Sequence, residues 1–282
     1  MKRLIVTADD FGIAPEVNEA VEAAHRDGIL TAASLLVAGP AAADAVARAR
    51  AMPRLRVGLH LTLVEGPPLL APEHVPDLVD RDGRLRTDLA RLGWDIAMRP
   101  AVRRQIRAEI EAQFAAFRAT GLPLDHVNAH KHFHLHPMIA RELLAVAADF
   151  GVRGVRVPHE PVRVLAAIEP GTTRSASWIM APWAGRLARK VRRAGFWSPD
   201  AVFGLAWSGQ MTPARLAGLI KRLPGGCSEI YLHPAVRGGF AFSAPGYRYA
   251  DELAALTAPE TLAAAREGDI ALGGYADFLT AH

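Results

Sequence analysis

An α/β fold, an irregular TIM-like (β/α) barrel in a single domain over residues 1–282, is what the sequence predicts, and three observations lead to it. Short apolar runs alternate with longer helix-period segments about eight times. No repeat, low-complexity tract or linker divides them. The polar side chains that carry chemistry fall at the ends of the apolar runs. Strands alternating with helices imply parallel strands joined by crossovers, and eight such units favour a barrel over an open sheet. With 50% hydrophobic and 22% charged residues, the chain has a globular enzyme's composition and can bury a large core.

In order, the strands are expected at "RLIVTA", "TAASLLVAG", "LRVGLHLTL", "LDHVNAH", "VRGVRVP", "AVFGLAW", "SEIYLHP" and "DIALGGY". The helical periods fall at 15–27, 41–51, 101–119, 137–149, 213–222 and 250–267. Pro15, Pro100 and Pro137 stand near helix starts, and Gly28 and Gly121 supply stops. Two segments break the rhythm, about 65–99 and 158–200, and are expected to be lid-like insertions, because long loops after strands commonly carry substrate contacts.

Composition excludes several classes. The net charge of +4 rests on arginine, with only Lys2, Lys131, Lys190 and Lys221 as lysines, and is no sign of nucleic-acid binding. Cys227 is the single cysteine, so neither an internal disulfide nor a thiolate metal cage can form. The first apolar run is too short for a signal peptide and no stretch has the length of a membrane span, so a cytoplasmic location is expected.

The candidate site is positional. Asp9 and Asp10 end the first strand, His60 the third, Asn128 and His130 the fourth, Arg156 the fifth and His233 the seventh. In a parallel barrel these ends share one face, which holds the active site. One carboxylate and two imidazoles, Asp10, His60 and His130, suit a divalent metal with positions left open for water and substrate. Zinc fits best on ligand chemistry, and magnesium, cobalt, manganese, iron or nickel are alternatives. Asp9 is then free as general base, its ionised form favoured by the cation and by Arg156, and His233 can protonate a leaving group. His130, His132, His134 and His136 are expected on one face of an extended chain. Taken singly, the acid pair reads as a turn, His60 as a core histidine and Arg156 as a salt-bridged strand residue. Their joint placement favours a site.

"TADDFG", "GLHL", "HxHxH" and the late "HP", in that order, resemble the YdjC-like carbohydrate deacetylases over nearly the whole chain. "NEAVEAAHRDGILTAASLLVAGPAAADAV", "LPLDHVNAHKHFHLHP" and "GLAWSGQMT" resemble the hopanoid-biosynthesis-associated branch of that family. The resemblance implies a distorted TIM-type barrel and a divalent metal on Asp10, His60 and His130, with Asp9 as base. Asn128 departs from it, standing where relatives often carry an acid, which leaves the surroundings of His130 undetermined. The spacing of His130 and His134 also permits both to ligate.

The expected function is metal-dependent hydrolysis of the N-acetyl group of a glucosamine-type sugar, with an N-acetylglucosaminyl hopanoid glycolipid as substrate. A chitooligosaccharide substrate, a phosphoester hydrolase or sugar isomerase on the same barrel, an iron oxygenase and a non-catalytic binder stay open. Trp183, Leu187, Val191 and Ala194 share a helical stripe edged by arginines, the pattern of a helix on an anionic membrane surface or of an ordinary helix packed on its sheet. Peripheral contact with the inner membrane face and a homodimer are open on the same footing.

Overall fold

The structure, a computed structural model, describes residues 2–172, 176–267 and 269–279. All eight expected strands form: β1 (Lys2–Phe11), β2 (Ala32–Leu35), β3 (Arg56–Leu61), β4 (His126–Ala129), β5 (Gly154–Val155), β6 (Ala201–Phe203), β7 (Cys227–Leu232) and β8 (Ile270–Leu272). Every strand pair is parallel, in the order β5-β4-β3-β2-β1-β7-β6, with β8 beside the first residues of β1. The sheet curls into a half-barrel, and no ladder joins β5 to β6 among the described residues. A bridge from Gly154 to Trp197 and a bond from Val202 N–H to the His159 carbonyl, 2.8 Å, span that gap. The expected eightfold ring is therefore not laddered shut: β5 and β6, two and three residues long, pair only with β4 and β7. The eighth strand attaches to β1 at Lys2–Leu4 and leaves β1 and β7 paired directly.

The helices follow the sequence periods closely: α1 (Pro15–Asp27), α2 (Ala42–Arg50), α3 (Leu89–Met98), α4 (Pro100–Ala119), α5 (Pro137–Asp149), α6 (Val162–Ile168), α7 (Ala176–Arg193), α8 (Pro213–Lys221), α9 (Tyr249–Thr257), α10 (Pro259–Glu267) and α11 (Tyr275–Phe278). The expected 250–267 helix is two helices, because Ala258 precedes Pro259 and takes an extended conformation, ψ 139°. The two irregular segments hold α3, α6 and α7, of which only the α7 stripe is marked in the sequence.

The stripe on α7 is mostly turned inward. Leu187 and Val191 are buried in the core, and Lys190 Nζ is tied to the Pro137 carbonyl at 2.9 Å. Only Trp183 and Ala194 of the four stand exposed, so the face that a membrane would need is occupied by protein. No described helix is long and apolar enough to cross a membrane.

Among the polar side chains buried in the core, one group forms a spine across the sheet. His126, on β4, stacks on Tyr275 with ring centroids 4.4 Å apart and planes at 15°. Two glycines make room for this pair: a Cβ on Gly58 would lie 2.5 Å from the His126 ring, and one on Gly154 2.7 Å from Tyr275. Substituting Gly58→Ala should therefore destabilise the protein by ~1–3 kcal/mol through overpacking, although alanine in a strand is ordinarily the more stable residue. Urea unfolding measures this, and unchanged stability would mean that the ring moves aside freely.

Candidate active site

The end of β1 resolves why two acids stand side by side. Alternation along a strand would send Asp9 and Asp10 to opposite faces. Instead Asp10 takes a left-handed backbone, φ 64°, and the register with β2 shifts between Ala8 and Phe11. Both carboxylates thereby reach one cavity of about 930 Å³ at the strand C-terminal ends.

On one wall, Asp10 Oδ1 lies 3.3 Å from His60 Nε2 and 3.2 Å from His130 Nδ1, and the two nitrogens are 3.4 Å apart. Ligands ~2.1 Å from a tetrahedral ion stand ~3.4 Å from one another, so these three side chains are spaced to hold one. Burial alone would raise the Asp10 pKa, but His130 and His60 hold it well below the usual carboxylate range. For His60 the opposing effects of burial and of Asp9 and Asp10 resolve upward. A cation seated among the three takes the place of that proton.

Asp9 is paired differently. Its two oxygens receive Arg156 Nη1 and Nη2 at 2.5 and 3.0 Å, and Oδ1 also accepts the Asn128 amide at 3.2 Å. Three of its four acceptor positions are thus taken, and one is left on the cavity side. Burial opposes ionisation, yet the Arg156 charge, with His60 and the Arg156 hydrogen bonds, keeps its pKa far below the ordinary value. Arg156 itself is fully buried, donating also to Glu229 at 3.0 and 2.8 Å. Glu229 in turn accepts the hydroxyls of Thr7 and Tyr275, both at 2.6 Å. Arg156 is therefore out of reach of a substrate and bears on the site through Asp9 and through the Tyr231 ring, 4.6 Å from its guanidinium.

The histidine run behaves otherwise than its sequence suggests. Residues His130–Leu135 form a 3₁₀-type turn with Lys131 and His132 in the left-handed region, φ 54° and 52°, so the rings diverge instead of sharing a face. Only His130 joins the metal cluster. His132 Nε2 meets the Tyr231 hydroxyl at 2.9 Å, and His134 Nε2 donates to the Arg156 carbonyl at 2.9 Å. That bond removes His134 from the ligand set, and burial lowers its pKa to about 4. Asn128 supports His60 at 2.6 Å and not His130.

His233 faces the acids from the end of β7, with Tyr247 against its ring at 5.2 Å. Burial lowers its pKa against the pull of Asp10 and Asp9. Beneath it lies Glu252, buried, accepting the backbone N–H groups of His233 at 2.5 Å and Met211 at 3.0 Å. The irregular 65–99 segment reaches the cavity through Glu65, Asp80 and Arg84, whereas among the described residues of 158–200 none lines it. The opposing wall, Phe242, Tyr247 and Tyr249, was not foreseen, and the Arg84 guanidinium lies 5.5 Å over the Phe242 ring at the cavity mouth. Glu229 and Glu252 were likewise missed. An acid inside the apolar run "SEIYL" was a usable signal for the first, and nothing in the helix marked the second.

Fold and site together define a class of protein: a curled parallel α/β sheet whose strand ends gather an Asp–His–His cluster at metal-ligand spacing beside a second, arginine-held acid. The family profile described as YdjC-like protein matches residues 3–267. The chain is 40% identical over 156 residues to a carbohydrate deacetylase of Brevibacillus brevis, a match that covers 55% of this chain and 59% of that relative's length. It is 31% identical over 277 residues to a carbohydrate deacetylase of Geobacillus stearothermophilus, covering 97% of both. A crystal structure described as a candidate cellobiose-phosphate cleavage protein of Enterococcus faecalis V583 superposes with a TM-score of 0.76 at 25% identity, over 98% of both chains. This chain belongs to the YdjC-like family.

Two outcomes follow from the buried charges. Arg156→Met leaves Asp9 and Glu229 without their shared cation and should lower the unfolding free energy by ~3–5 kcal/mol, read by urea titration of metal-free protein. A loss under about 1 kcal/mol would contradict the pairing. Burial also raises Glu252 from 4.5 to about 7 despite its backbone hydrogen bonds. A carboxyl whose folded pKa is raised holds its proton more tightly in the fold. Its stabilising contribution is complete below pH 4.5 and disappears as pH rises through about 7. The stability difference between native protein and Glu252→Gln should shift in that window and be flat outside it.

Proposed function

We propose that this protein is a metal-dependent hydrolase that removes the N-acetyl group from a glucosamine-type sugar. The observation that carries the reading is the Asp10–His60–His130 cluster at 3.2–3.4 Å, with Asp9 beside it in the same cavity. The carbohydrate deacetylases among its relatives supply the bond type.

In this reading Asp10, His60 and His130 hold one divalent ion, zinc by ligand chemistry. When bound there, such an ion would supply polarisation of the acyl oxygen and a lowered pKa for the attacking water. Asp9 receives the water proton at its one free acceptor position. Arg156 and Asn128 fix that carboxylate so that its open lone pair stays directed at the cavity. His233, on the other side, delivers a proton to the departing amine, with the charges of Asp9 and Asp10 favouring its cationic form as the amine leaves. Tyr247, Tyr249 and Phe242 offer apolar faces for sugar rings, and the 65–99 segment with Arg84 closes on them as a lid. The sequence motifs shared with the hopanoid-associated branch support an N-acetylglucosaminyl glycolipid as the substrate.

The test is mass spectrometry of metal-reconstituted protein with an N-acetylglucosaminyl lipid and, separately, with chitobiose. Loss of one acetyl unit from the lipid is the expected result, and reaction of chitobiose alone would reassign the substrate to a soluble oligosaccharide. Release of acetate from neither, with metal bound, would overturn the reading. Asp9→Asn should retain the metal and lose ~10²–10⁴ in kcat, so near-native turnover would remove Asp9 from the base role.

A further inference from the structure

A file of buried hydrogen bonds crosses the sheet from its far end to the Asp–His–His cluster, and counting protons along it leaves one arrangement. The Asp125 carboxylate accepts the backbone N–H groups of Tyr275 and Ala276 at 3.1 and 2.8 Å and lies 2.9 Å from His126 Nδ1. A carboxylate offers only acceptors, so the His126 proton sits on Nδ1 and Nε2 is bare. That bare nitrogen takes the Ser34 hydroxyl hydrogen across 3.0 Å. With a cationic His126, the Ser34 hydrogen would have no acceptor among the described residues. The Ser34 oxygen then accepts one Asn128 Nδ2 hydrogen at 2.8 Å, and the other points to Asp9 Oδ1 at 3.2 Å. The Asn128 oxygen is left facing His60 Nδ1 at 2.6 Å, which must carry the imidazole proton. That leaves Nε2, the atom facing Asp10 and His130, as the nitrogen a metal ion would take in exchange for any proton it carries.

We propose that Asn128 is a positioning residue for both halves of the site. Its amide oxygen holds His60 in the Nδ1–H form that aims Nε2 at the metal, and its amide N–H steadies Asp9. The polarity comes to it from Asp125 through His126 and Ser34. No acid can do both tasks, since an ionised carboxylate at 128 accepts from His60 but has no hydrogen to give Asp9. An asparagine where the family resemblance leads one to expect an acid thus has a physical reason. The inference rests on the hydrolase reading for the ion and for the role of Asp9, while the hydrogen-bond file stands independently of it.

The test separates the two tasks with zinc alone as the probe, titrated into metal-free protein against a chromogenic chelator. Asn128→Leu deletes both bonds and should weaken zinc binding ~10–100-fold, the usual effect of losing a partner behind a ligating histidine. Asn128→Asp keeps the acceptor for His60 and should hold zinc within about threefold of native, while kcat falls at least ~10-fold with little change in KM because Asp9 has lost its donor and gained a like charge. A purely structural role would move both variants together. Long-range ¹⁵N–¹H spectra of native metal-free protein provide a readout needing no variant, and should find a proton on His60 Nδ1. Unchanged zinc affinity in Asn128→Leu, equal weakening in the two variants, or a bare Nδ1 on His60 would each overturn the proposal. The zinc and tautomer readouts decide it by themselves, and absence of turnover in native protein counts against the deacetylase reading alone.

Discussion

The buried guanidinium of Arg156 is the interaction on which the rest depends. It gives four of its five N–H groups to two acids, Asp9 and Glu229, in a place water does not reach. An isolated buried charge would be neutralised or expelled, so none of the three is stable in its charged form without the others. Because Asp9 is held there, its neighbour Asp10 is free to turn through a left-handed residue toward the imidazoles. Adjacent like charges become tolerable once one faces a guanidinium and the other a pair of imidazoles.

The same logic extends through the core. Glu229 is held by Thr7 and Tyr275, Tyr275 stacks on His126, and His126 passes its polarity through Ser34 to Asn128. The loop closes when Asn128 returns to Asp9 and His60. Buried polar networks of this kind are stabilising only when every member is satisfied. Gly58 and Gly154 belong to the network although they carry no side chain, since the space they leave is what admits its two rings. The result is a centre whose strand ends carry the Asp9, Asp10, His60 and His130 side chains, and whose interior holds Asp9 and His60 in place through Asn128.

The cavity mouth is held differently. The walls that bring Arg84 and Phe242 together belong to segments without strand pairing to the sheet, and they meet by a ring–cation contact at the surface. Such contacts contribute about 0.5–1 kcal/mol when exposed. The division is between a floor made of buried ion pairs and a mouth made of weak contacts.

Much of this was legible in residue order. The strand at "RLIVTA", the helix starts at Pro15, Pro100 and Pro137, and the convergence of Asp10, His60 and His130 all follow from local pattern and from the rule that parallel strand ends share a face. Local pattern is read well because period and turn chemistry act over a few residues. The run from His130 to His136 was misread because two left-handed residues, neither glycine, bend it, and only surrounding contacts stabilise that conformation. The incomplete ring, the inward face of α7 and the Phe242–Tyr249 wall were likewise decided by packing between distant segments. The sequence by itself determined which side chains end the strands. Tertiary structure alone decided which of them meet, which proton each carries and which are sealed off, because burial and hydrogen-bond partners are properties of neighbours in space and not in sequence.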